Sequence, residues 1–174
     1  MKKRIGLIVA IVVAALIICL LIWRFLPHSL SNAISVDENS IIGFSAYAMV
    51  SRFEDGQSYT DTYRIDNTDQ QSHKPEKMIE ILATSGYQQD FRNLLPWGID
   101  SVASDKNYDG STVTLSFYSE NAETEYFEIQ FLSSSITVVT TEAHPSFRIY
   151  HPTNHKTMYD LIEYVKNYGI KQTS

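Results

Sequence analysis

The sharpest local signal in the chain is Asp105-Lys106-Asn107-Tyr108-Asp109-Gly110. Oxygens at Asp105, Asn107 and Asp109, closed by a glycine, match the opening of a calcium loop. There, ligands from every second residue converge on one cation and glycine permits the sharp bend. The twelfth position is Ser116, where such a loop carries a bidentate glutamate, and alternating strand-like runs flank it. Asp109-Gly110 before such a run is also a hairpin signal. The segment reads first as a turn without metal and second as a weak calcium site, and calcium is the one cofactor the sequence suggests.

His144, His151 and His155, with Asp160 and Glu163 downstream, form a second group. A spacing of four suits two metal ligands on a helix, but Pro152 intervenes and delays the helix start. Scattered Ser, His and Asp/Glu raise the question of a hydrolase, yet the chain holds no G-x-S-x-G and no S-x-x-K string. An enzyme would show a pocket that brings His144 or His151 within hydrogen-bond reach of an acid and a nucleophile. The single cysteine, Cys19, lies in an apolar run, which excludes a disulfide framework, a Cys-based zinc site and a thiol nucleophile.

The third candidate is a surface. Tyr118, Tyr126 and Tyr150, with Thr112, Thr114, Glu128 and Arg148, alternate with apolar residues and are expected together on the outer face of a sheet. Tyrosine offers contact area at little entropy cost, although it also favours strands for packing reasons alone. As a binding surface this face suits a protein, a peptide or a glycan.

The elements that must position these residues follow from periodicity. Residues 41–53 and 59–65 flank Glu54-Asp55-Gly56-Gln57 and read as a hairpin. Pro75 and Glu76 open a helix with Met78, Ile79, Ile81 and Leu82 on its apolar side, ending near Gly86. Residues 87–95 suggest a short second helix. Four period-two runs then centre on Leu115, Ile129, Val138 and Ile149, and a last helix carries Met158, Leu161, Ile162 and Val165 to Gly169. The expected class is α+β: a mainly antiparallel sheet of about six or seven strands with two or three helices packed on one face.

Ahead of this domain, Ile5 to Trp23 run without a charge, flanked by Lys2-Lys3-Arg4 and by Arg24. Nineteen such residues rise about 28 Å as a helix, which predicts a single-pass anchor with Ile5, Leu16 and Trp23 in or at the bilayer. The positive-inside bias then makes 1–4 a cytoplasmic stub, 5–26 the transmembrane anchor, 27–33 a tether and 34–174 an extracytoplasmic domain. Cleavage near Ala33, releasing the domain, is the alternative. Residues 27–174 carry ten Lys/Arg against twenty Asp/Glu, a charge of −10, while the whole chain is −6. That balance argues against nucleic acid as a partner. The expected function is a membrane-anchored accessory domain that binds an envelope protein or glycan. An envelope enzyme and a calcium-stabilised structural domain are the alternatives.

Overall fold

The computed structural model describes residues 2–34, 40–66, 75–94, 108–119, 125–141 and 144–172, without the side chains of residues 2–4, 7, 34, 94, 119, 125–126 and 144–146. The elements are α1 (Lys2–Arg24), α2 (Leu30–Ile34), β1 (Ile41–Glu54), β2 (Gln57–Ile65), α3 (Pro75–Ala83), β3 (Tyr87–Gln89), β4 (Thr112–Ser119), β5 (Glu125–Ser133), β6 (Ile136–Thr141), β7 (His144–Pro152), α4 (Lys156–Tyr168) and β8 (Ile170–Gln172), with a 3-10 turn at Phe91–Leu94. One antiparallel sheet holds the strands in the order β3-β7-β6-β5-β4-β1-β2-β8. The class is α+β, but the sheet has eight strands where six or seven were expected; the four helices among the described residues are the N-terminal α1 and three more, against the two or three expected after it. The added strands are β3 and β8, each three residues long and each at an edge.

The core lies between the sheet and the pair α3–α4. Phe44, Ala46 and Ala48 of β1, Val113, Leu115 and Phe117 of β4, and Phe127, Ile129 and Phe131 of β5 face Met78, Leu82, Met158, Leu161 and Val165. Phe117 and Phe127 are cross-strand partners and stack with centroids 4.7 Å apart. Each large side chain buried there stabilises the fold by about 1.5–3 kcal/mol, so this layer is what fixes the sheet for any site built on it. Pro75 does begin α3 and is itself buried. The β1–β2 turn has Asp55 and Gly56 at φ 51° and 77°, the mirror-image turn that matches strand twist.

Residues 87–95 depart from the expected second helix. The Tyr87 N–H and carbonyl are taken by the His28 carbonyl and N–H, at 2.8 and 3.1 Å, while Tyr87–Gln89 pair with β7 on the other side. Sheet partners on both flanks outweigh a weak local helical pattern. Below β3, Asn93 continues the pairing with its side chain: Oδ1 accepts the Ile149 N–H at 2.8 Å and Nδ2 donates to the Ile149 carbonyl at 2.7 Å. The stretch 27–33 is built onto the domain through the His28 bridge, and Leu30 is a core residue.

The N-terminal anchor requires correction. Helix α1 forms, and its apolar side chains are 46–66 % exposed, with Ile5, Leu16 and Trp23 among them; Cys19 is exposed too. Among the described residues, however, no helix is long and apolar enough to cross a membrane. The single-pass anchor over 5–26, and the membrane localisation derived from it, are set aside on that finding.

Candidate functional site

Strand register decides which candidate residues share a face. Phe131 pairs with Thr137 and Thr137 with Tyr150, while Val139 pairs with both Ile129 and Arg148. Arg148 and Tyr150 therefore stand on the face that carries the helices, not on the face of Tyr118. Tyr118 lies on the far face, its hydroxyl 3.1 Å from Ser45 Oγ. The side chain of Tyr126 lies outside the described residues. The far face is also not uniformly wet, since β6 and β7 bury Ile136, Val138 and Ile149 there. The expected tyrosine surface is thus divided between two sides of the sheet.

On the helix face, the β3–β7 end of the sheet meets the N-terminal segment and leaves a cleft of about 340 Å³ lined by Trp23, Arg24, His28, Asn32, Gln89 and Arg148. Each of the four segments that build it has a reason to be there. Trp23 and Arg24 form the last turn of α1, and the Trp23 carbonyl accepts a hydrogen bond from His28 Nε2 at 3.1 Å while the two rings meet edge to face. His28 is fixed by its bridge to Tyr87. Asn32 rides on α2, which is pinned from below by Leu30 and by the Tyr150 hydroxyl donating to the Ala33 carbonyl at 2.7 Å. Gln89 and Arg148 project from β3 and β7.

The electrostatics of the cleft follow from its lining. Burial pushes the Tyr150 phenol upward, against the opposing pull of the Arg148 and Arg24 guanidiniums. Among the described residues neither arginine is ion-paired to a carboxylate, whereas Arg52, Arg64 and Arg92 all are. Two guanidiniums without a carboxylate partner among the described residues, beside two side-chain amides and an indole, make a concave set of donors with a positive charge.

At the same β3–β7 edge, on the opposite face of the sheet, lies a second polar cluster. Asp90, with a side chain 5 % exposed, accepts from Arg92 Nη2 at 2.8 Å, from the Arg92 main-chain N–H at 2.7 Å and from His151 Nε2 at 2.7 Å. Burial pushes the Asp90 carboxyl up, but the Arg92 and His151 hydrogen bonds outweigh it and hold the group at about 2. His151 thus has an acid partner. Its other nitrogen, Nδ1, meets the main-chain oxygen of Ser135 at 3.0 Å, and a carbonyl has no proton to give. The pair ties the end of β3 to β7, and among the described residues the other nitrogen of His151 meets a main-chain oxygen and no nucleophile. His155 is exposed at the start of α4, and the side chain of His144 lies outside the described residues.

Of the expected calcium ligands, Asp105 and Asn107 lie outside the described residues. Asp109 is occupied by protein donors: Oδ1 accepts the Ser111 N–H at 2.8 Å and Oδ2 the Tyr159 hydroxyl at 3.1 Å. No group of three or more metal-ligating side chains occurs among the described residues. Gly110 sits at φ +85°, and a Cβ there would stand 2.6 Å from Ser51 Oγ. Gly110→Ala is expected to destabilise the domain by about 1–2 kcal/mol, read as a lower denaturation midpoint, because it combines a left-handed backbone with loss of the Ser51–Gly110 hydrogen bond.

Sequence reasoning did not find the cleft. The sequence pattern places Trp23 and Arg24 at a lipid interface, His28 and Asn32 in a tether, Gln89 in a helix and Arg148 on the far face. The one available signal was Arg148 itself, a cation in a strand run without a charged neighbour within three residues. No family model, no curated protein and no solved structure matches the chain.

Proposed function

We propose that this chain is a ligand-binding module and that it holds an anionic group of its ligand between Arg24 and Arg148. The observation that carries the reading is the pair of guanidiniums lining one cleft with no carboxylate partner among the described residues, in a chain of net charge −6. An acidic protein has many carboxylates with which to neutralise a surface arginine. Two that meet no carboxylate among the described residues, in one concavity, favour an anion from outside. The expectation of a binding role is kept, and its site moves from the tyrosine face to the helix face.

The test uses small organic dianions. Calorimetric titration of the full chain, held in a neutral detergent that covers α1, is expected to show binding of phthalate or phenyl phosphate at millimolar concentration or below. Arg148→Gln and Arg24→Gln should each weaken that binding by about 10–100-fold, the worth of a charge-assisted hydrogen bond, while Tyr118→Phe on the far face leaves it unchanged. Failure of both probes to bind, or binding indifferent to both arginines, removes the proposal.

A further inference from the structure

We infer that the group taken by the cleft is a phosphomonoester-type dianion carried on a small organic body with a flat apolar part. This rests on the reading of the cleft as an anion site and specifies its ligand class.

Charge is the first consideration. A single carboxylate engages one guanidinium fork and leaves the second cation uncompensated in the same cleft. A phosphomonoester carries about −1.5 to −2 near neutral pH and matches both. The second consideration is the direction of the donors. They come from four separate segments: Arg24 at the end of α1, Asn32 on α2, Gln89 on β3 and Arg148 on β7. Donors that converge from separate supports suit three oxygens spread around a tetrahedron, whereas the two oxygens of a carboxylate lie in one plane and suit one fork. Size is the third. A cavity of about 340 Å³ falls at the lower end of small-molecule sites and holds more than the anionic group. The additional wall is the Trp23 indole, set edge-on to His28 at 5.2 Å between centroids. An indole wall favours a flat partner.

Four probes separate these elements in titrations of the full chain in neutral detergent: phenyl phosphate, phenyl sulfate, phthalate and inorganic phosphate. Phenyl phosphate is expected to bind at least about tenfold more tightly than each of the others, a difference of about 1.4 kcal/mol. Phenyl sulfate has the shape but one charge fewer, phthalate has two charges on planar groups, and inorganic phosphate lacks the ring. Arg24→Gln or Arg148→Gln should abolish the advantage over phenyl sulfate, and Trp23→Ala the advantage over inorganic phosphate. Thermal midpoints of the three variants, all at positions lining an open cleft, are expected to stay at the wild-type value and so separate binding from folding.

Equal binding of phenyl sulfate overturns the dianion, and equal binding of inorganic phosphate overturns the flat body. Phthalate binding as tightly as phenyl phosphate, and still weakened by Arg148→Gln, overturns the tetrahedral class while the anion cleft stands. Failure of all four probes takes down the anion cleft itself.

Discussion

Asp90→Ala is expected to lower the stability of the domain by about 2–3 kcal/mol, a fall of about 5–10 °C in Tm for a chain of this size. The carboxylate is the shared acceptor for Arg92 and His151, and the alanine variant leaves four donors facing a space with no acceptor. Arg92 and His151 are partly exposed, so water recovers some of the loss; a fully enclosed pair would lose more. The effect reaches the cleft because Asp90 follows Gln89 directly and His151 follows Tyr150. Asp90→Asn keeps one acceptor oxygen and removes the charge, and should lose less. A denaturation midpoint for Asp90→Ala within about 0.5 kcal/mol of wild type would mean that the clamp contributes nothing.

The same carboxylate sets an acid limb. Its folded-state value of about 2 lies below the ordinary aspartate value of about 3.9. For a depressed carboxyl the unfolded chain binds the proton more readily, so the stabilisation is fully present above about pH 4 and is lost as pH falls from there through about 2. Wild type is therefore expected to lose stability more steeply over that window than Asp90→Asn, with the two curves converging at the acid end. Parallel curves of unfolding free energy against pH would assign the acid limb to other carboxylates.

What the sequence makes legible is the local part of the fold. Asp55-Gly56 predicts its own turn because both residues tolerate positive φ, and Pro75 predicts the start of α3 because a helix start needs no N–H there. The runs 113–117 and 127–131 declare their core face correctly. The runs in β6 and β7 do not, because period two says which residues share a face but not which face it is. β6 is apolar on both sides, with Val138 and Val139 both buried, so the phase is set only by pairing with β5. That ambiguity puts Arg148 and Tyr150 on the wrong side, one of the reasons the cleft is not legible. The helical form of α1 is equally legible, since an unbroken apolar run of nineteen residues without proline is far longer than a strand. The surroundings of that helix were not, because composition alone does not fix what an apolar surface touches. Strands β3 and β8 were missed because three residues hold too little pattern, and distant partners define them.

Gly169 is the case where the sequence gives the right boundary for another reason, and it leads to the second large effect. A glycine at a helix end suggests a left-handed cap, but Gly169 has φ −89° and ψ 167°, an extended conformation open to any residue. The restriction is space: a Cβ would stand 2.5 Å from the Val165 carbonyl oxygen and 2.9 Å from that of Arg64, both main-chain atoms. Gly169→Ala must therefore push the end of α4 away from β2, and β8, which begins at the next residue, moves with it. The pairing of Ile170–Gln172 with Thr62–Arg64 is then weakened. So is the 2.8 Å ion pair from Lys171 to Asp61, whose carboxyl Lys171 holds below its ordinary value. The expected loss is about 2–3 kcal/mol, in the range of overpacking changes, with faster amide exchange confined to β8 and its partner residues in β2. Gly56→Ala is the matched control: it stands at φ 77° with nothing within 4 Å of the added atom. That change should cost about 1 kcal/mol of backbone strain and leave exchange in β8 untouched. If the two variants lose equal stability and neither alters exchange in β8, close approach at Gly169 is not what positions the last strand.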